Sequence, residues 1–156
     1  MENKDIVYMQ KAYSEAEIAF SEAEIPVGAV VECNGEVISH AHNNREQSND
    51  ATGHAEILAI RAACEKLGGW HLNKCTLYVT LEPCPMCMGA IINSRIGKVV
   101  FGAKDYKAGA CGSVLNLCSY PLNHKPEIIE GVMKEECAEI LGIFFKNKRN
   151  QVNDKE

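Results

Sequence analysis

Cys75-Thr76-Leu77-Tyr78-Val79-Thr80-Leu81-Glu82-Pro83-Cys84-Pro85-Met86-Cys87 passes from a strand pattern to a helix start within one short stretch. Cys75 to Leu81 has the apolar, β-branched and aromatic content of a buried strand. Pro85 suits the first turn of a helix, where its missing N–H would be unpaired anyway, and Met86 to Ser94 continues as helix. Downstream, Lys98 to Gly102 reads as the next strand. Upstream, Ile57, Leu58, Ile60, Ala63, Cys64 and Leu67 carry helical spacing from about Ala55, and Gly68-Gly69 closes that element.

Farther out, Asp5 to about Glu24 has the spacing of a helix with one buried face, which Pro26 ends. Val27 to Val31 reads as a buried strand, Asn34-Gly35 as a hairpin turn and Glu36 to Ala41 as the returning strand. The polar, Asn-rich segment from His42 to Gly53 reads as a loop, as does Ala103 to Gly112. Ser113 to Cys118 fits a short helical turn, Glu127 to Ile129 a short strand and Lys134 to Lys148 a closing amphipathic helix. A helix, a hairpin and then alternating helices and strands predict an α/β chain, a three-layer α/β/α sandwich. One domain over 1–150 is expected, with 151–156 a disordered polar tail.

The 156 residues are 46% hydrophobic, enough for one sizeable core. The start, Met1-Glu2-Asn3-Lys4-Asp5, lacks the basic and then apolar plan of a secretory signal, and no apolar run is long enough for a membrane span. A cytoplasmic protein is expected. In that compartment the eight cysteines read as reduced thiols, with Cys33, Cys64, Cys75 and Cys137 packing as small hydrophobes. A net charge of −5 gives no general support to a nucleic-acid partner, and the basic run Lys146-Asn147-Lys148-Arg149 reads from composition as a solvated last helical turn.

His54-Ala55-Glu56 upstream and Cys84-Pro85-Met86-Cys87 downstream supply three metal ligands and one spare carboxylate. Two cysteines and one histidine leave a tetrahedral zinc with an open fourth place, which is the pattern of a catalytic rather than a structural ion. Cys84 and Cys87, three apart across a helix start, present both sulfurs to one side, where unpaired N–H groups favour thiolates. Glu56 is the candidate base. Residues two apart in a regular helix diverge, so convergence of His54 and Glu56 requires His54 to sit at the helix entry, with Gly53 permitting a sharp turn. Taken alone, Cys-x-x-Cys also fits a redox pair or half of a structural zinc site. The second half would have to be Cys111 and Cys118, which are spaced too widely for a zinc knuckle.

The joined motif is the signature of zinc nucleobase deaminases. Nearly the whole chain resembles the bacterial tRNA-specific adenosine deaminases of the cytidine deaminase superfamily. The segments that carry this are Ile25-Pro26-Val27-Gly28-Ala29-Val30, His42-Asn43-Asn44-Arg45-Glu46, Gly53-His54-Ala55-Glu56 and Val79 to Cys87. Ser94-Arg95-Ile96, Val100 to Asp105, Asn123-His124 and Phe144-Phe145 add to it. The resemblance implies a cytidine-deaminase-like sandwich around a central mixed sheet and a homodimer with one zinc per subunit held by His54, Cys84 and Cys87. It also implies that Glu56 carries protons, first as base and then as acid, while adenosine becomes inosine at the first anticodon position of tRNA.

Carried over residue by residue, Val27, Leu81, Glu82 and Pro83 would wall the base, Asn43 would hydrogen-bond the nucleotide and the Ala55 N–H would face the ring. Asp105 and Lys107, Asn123 and His124, and Phe145 and Arg149 would meet the anticodon stem-loop. The resemblance thus turns the basic C-terminal run towards RNA. Gly53, where alanine is frequent in the family, and Lys104, where an acidic residue can occur, are departures that leave the ligands intact. The rival enzyme reading is a deaminase of free guanine or cytosine compounds, and the rival outside catalysis is a zinc-dependent RNA-binding module.

Overall fold

The computed structural model describes residues 3–154. Along the chain run α1 (Asn3–Ser21), β1 (Gly28–Cys33), β2 (Glu36–His42), α2 (Arg45–Ser48), α3 (Ala55–Leu67) and β3 (Cys75–Leu81). There follow α4 (Pro85–Asn93), β4 (Lys98–Ala103), a 3-10 turn at Leu117–Ser119, β5 (Glu127–Glu130) and α5 (Lys134–Asp154). The strands form one mixed sheet in the order β2-β1-β3-β4-β5. β1 is antiparallel to β2 and β3, whereas β3, β4 and β5 run parallel.

Period-two alternation divides the core into two layers. Ala29, Val31, Leu77, Val79, Val99 and Phe101 pack with Ala59 and Ala63 of α3 and Met88 and Ile91 of α4. The intervening Val30, Tyr78 and Val100 meet Met9 and Ala12 of α1 and Cys137 of α5. The expected α/β/α sandwich is therefore present. Burying Met9, which has no exposed surface, is worth about 2 kcal/mol. The small α1 residues Ala12, Ala16 and Ala19 let the helix approach β1 so closely that a Cβ on Gly28 would lie 2.0 Å from the Ala12 carbonyl oxygen. Across this interface the Tyr78 hydroxyl donates to the buried Asp5 carboxylate at 2.8 Å, and Lys98 Nζ stands 3.8 Å away.

The hairpin turn has the geometry its residues favour, with Asn34 at φ 54° and Gly35 at φ 83°. α1 stops at Ser21 rather than near Glu24 because Ala23 takes φ 61°. There the Ala23 N–H reaches the Phe20 carbonyl and the Glu24 N–H the Ala19 carbonyl, a Schellman ending with alanine where glycine is usual. A short helix, α2, interrupts the loop expected over 42–53. The 3-10 turn falls at Leu117–Ser119 rather than over 113–118, since the Asn116 side chain caps it and Ser113 is held elsewhere. α5 runs on to Asp154, because no glycine or proline after Gly142 interrupts its propagation. Of the tail expected over 151–156, residues 151–154 are thus helical and 155–156 lie outside the described residues.

Candidate active site

The site lies past the carboxyl end of β3, where open α/β sheets place ligands. Two helix N-termini converge there. His54 is the N-cap of α3, with φ −85° and ψ 147°, and Cys84 is the N-cap of α4, with φ −76° and ψ 174°. Pro85 occupies the first helical turn as expected, and Cys87 follows one turn in, fully buried. His54 Nδ1 stands 3.6 Å from both the Cys84 and the Cys87 sulfur.

Donors at about 2.3 Å for sulfur and about 2.0 Å for nitrogen on a tetrahedral zinc lie about 3.6 Å apart, so the three side chains are already at ligand spacing. Among the described residues this is the one His/Cys/Asp/Glu group spaced to hold a metal, and Glu56 is not part of it. The donor set fits zinc, with a fourth position left for water.

The hydrogen bond from Cys87 and, after it, the His54 ring hold Cys84 as a thiolate, with its pKa lowered to about 4. The same hydrogen bond, burial and the Glu56 charge push the Cys87 thiol up. The contact with Cys84 raises the His54 pKa against the effect of burial. Zinc binds cysteine as thiolate and histidine as neutral imidazole, so holding it through these three side chains releases protons. Glu56, 4% exposed, has its carboxyl pushed up to about 7 by burial, with His54 acting in the opposite sense. A carboxyl poised near neutrality is matched to taking and returning a proton.

Around this centre lies a cleft of about 490 Å³. Of the positions expected to meet substrate, Val27, Asn43, Ala55, Leu81, Glu82, Asp105, Lys107 and Phe145 line it. Asn43 is 5% exposed, and among the described residues none hydrogen-bonds its side-chain amide. Pro83 is buried under the wall, its carbonyl accepting the Ala110 N–H at 2.8 Å. Asn123, His124 and Arg149 are not brought to the cleft. His124 instead donates through Nε2 to the Ile96 carbonyl, at 2.6 Å, near the opposite ends of β3 and β4. Arg149 lies exposed on α5 one turn past Phe145, and Lys148 sits 5.6 Å over the Phe144 ring.

Ile25, Arg45, Lys104, Tyr106 and Leu141 also line the cleft and were not among the residues expected to meet substrate. Leu141 had a readable signal, since it is four residues before Phe145 on one helix face. Arg45 stood only within the resembling segment His42 to Glu46, with no role assigned, because its short helix is not visible in the periodicity.

Two of the wall residues serve the architecture. The Glu82 carboxylate, 2% exposed, accepts the N–H groups of Asp105, Cys111 and Ser113 and the Ser113 hydroxyl. Burial works against its charge, but these donors prevail and hold its pKa below the usual carboxylate value. The Asp105 carboxylate turns back on its own loop, accepting the N–H groups of Lys107 and Ala108. Gly53 departs from the expected dihedral role, for it is not among the residues with positive φ. It is needed for space: a Cβ there would lie 2.6 Å from Asn44 Oδ1 and 3.1 Å from the Asp50 carbonyl oxygen.

A sandwich of this topology, with His54 and the two cysteines at converging helix N-termini and a buried unligated glutamate, defines a zinc-dependent hydrolytic deaminase. The chain belongs to the MafB19-like deaminase family, whose model matches residues 2–149. It is 48% identical over 149 residues to the tRNA-specific adenosine deaminase of Bacillus subtilis (strain 168), covering 95% of this chain and 92% of that one. With the enzyme of that name from Aquifex aeolicus (strain VF5) it shares 47% over 146 residues, covering 93% and 96%. A solved structure from a study of A-to-I editing by tRNA:A34 deaminases at the wobble position superposes with a TM-score of 0.85. It is 44% identical and covers 86% of this chain and 99% of its own.

Proposed function

We propose that this chain hydrolyses adenosine to inosine and ammonia at the first anticodon position of tRNA, working as a homodimer with one zinc per subunit in the cytoplasm. The observation that carries the RNA reading is the rim of the cleft. Arg45, Lys104 and Lys107 gather there with Tyr106, 78% exposed, and Phe145, 43% exposed, on a chain whose net charge is −5. Cations placed locally against an acidic background suit phosphate contacts, and exposed rings suit stacking on splayed bases of a single-stranded loop. No described helix is long and apolar enough to cross a membrane.

Zinc held by His54, Cys84 and Cys87 would activate the attacking water at neutral pH. Glu56 takes that water's proton as oxygen adds to the amino-bearing ring carbon. It returns that proton to the adjacent ring nitrogen, then carries the remaining hydroxyl proton to the amine, so that the carbon–nitrogen bond breaks, ammonia leaves and the carbonyl forms. Asn43, with its amide free towards the cleft, orients the nucleotide. Val27 and Leu81 supply apolar walls that exclude bulk water.

The test is incubation of the zinc-loaded protein with an anticodon stem-loop carrying adenosine at the wobble position, and separately with free adenosine, guanine and cytidine. Inosine and ammonia are expected from the stem-loop alone. Ammonia released only from a small molecule would overturn the tRNA reading in favour of a free-base deaminase.

A further inference from the structure

Glu24 is a buried carboxylate, 1% exposed, just past the end of α1 and outside the cleft lining. One oxygen accepts the Glu46 N–H at 3.1 Å and the other the Gln47 N–H at 2.8 Å. Both donors belong to the first turn of α2, and the N-cap residue of that helix, Asn44, makes no side-chain cap of its own. The cap is therefore delivered from a distant part of the chain, and Ala23, in the left-handed conformation, turns the backbone so that it arrives. α2 has four residues, too few to persist without such help. It is also where the cleft draws two of its polar residues, because Asn43 precedes it and Arg45 opens it. Three residues beyond Glu24, the Val27 carbonyl accepts the Asn43 N–H at 3.1 Å. The segment 24–27 thus grips 43–47 at two points.

We propose that Glu24 is a positioning residue for the deamination: by capping α2 it holds Asn43 and Arg45 at the cleft, without touching substrate or metal. The proposal rests on the reading of Asn43 as a nucleotide contact. A carboxylate suits this role because it offers two acceptors and no donor. The amide of glutamine would turn an N–H group against one of the two donors.

Glu24→Gln is the test, made in the zinc-loaded protein, with Glu24→Asp as a second variant that keeps both acceptors but shortens the reach. In Glu24→Gln the Glu46 and Gln47 amides should lose hydrogen-exchange protection while zinc content stays at that of the wild type. kcat/KM should fall by about tenfold or more, and the loss should vanish in an Asn43→Ala background, since residues acting through one contact are not additive. Glu24→Asp should show the same coupling with a smaller loss, and it carries the test if Glu24→Gln does not fold. Unchanged protection at Glu46 and Gln47, or losses that simply multiply with those of Asn43→Ala, would overturn the proposal. The cycle is run on whichever substrate the wild type accepts. A chain that ignores the stem-loop but deaminates a free base would refute the tRNA reading and leave the Glu24 coupling to be judged separately.

Discussion

His54 and Glu56 are two residues apart, yet both line one cleft, because His54 is still extended at the N-cap of α3 while Glu56 is already helical. Within a regular helix these side chains would point to nearly opposite faces. The change of backbone conformation between them lets the imidazole join Cys84 and Cys87 while the carboxylate stays off the metal position.

That division of labour separates two variants. Glu56→Ala should keep its full zinc content and lose deamination by about a thousandfold or more, as expected for a general acid–base group. Cys87→Ser should lose the metal and also stability, since its sulfur is a fully buried ligand. Metal analysis beside an ammonia-release assay checks both, and loss of zinc from Glu56→Ala would place that carboxylate among the ligands.

The Glu82 network predicts a loop defect. Ser113→Ala removes the hydroxyl that Glu82 accepts, at a cost of about 2 kcal/mol for a hydrogen bond to a buried charge. The loop that brings Asp105 to Ala108 to the cleft should loosen, so KM for RNA should rise more than kcat falls. Thermal unfolding and steady-state kinetics test this, and a variant with unchanged Tm and KM would show that the loop holds without the clasp.

Ala23 predicts a gain. At φ 61° its Cβ is strained, and glycine removes that strain at the Schellman position. Ala23→Gly should stabilise the protein by about 1 kcal/mol, which raises Tm by roughly 2–4 °C for a chain of this size. A lower Tm would mean that glycine's freedom in the unfolded chain outweighs the relief.

His42 predicts a pH dependence. Its Nδ1 meets Glu15 at 2.6 Å and its Nε2 meets Glu22 at 2.7 Å. Burial disfavours the charged ring, but the two carboxylates prevail and raise its pKa above 6.5. A raised pKa means that the folded protein binds the proton more tightly than the unfolded chain. The stabilisation is therefore complete below about 6.5 and is lost as pH rises through the higher folded value. The Tm advantage of wild type over His42→Gln should be largest near pH 6 and shrink towards pH 8.5. An advantage that is constant across that range would exclude the linkage.

Much of the catalytic centre was legible because its parts are local. The Cys84 and Cys87 spacing, the proline at the helix start and the requirement that His54 sit at a helix entry are properties of a few adjacent residues. The cleft beyond the metal was less so. Asn123, His124 and Arg149 look equivalent to Lys107 and Phe145 as residue types, but the single folded chain puts them outside it. Glu24 gave no signal, since a glutamate after a helix is ordinary until its partners, 22 and 23 residues away, are known.

Periodicity was therefore enough to predict the three-layer sandwich, and spacing at two helix starts was enough to single out His54, Cys84 and Cys87, which the fold brings together, and the Glu56 carboxylate beside them. Which loop residues face the cleft, and which buried carboxylates hold those loops in place, needed the folded chain. Irregular segments have no repeating pattern to read, and their backbone N–H groups are satisfied by side chains brought from elsewhere, as Glu24 does for α2 and Glu82 for Asp105 to Ser113.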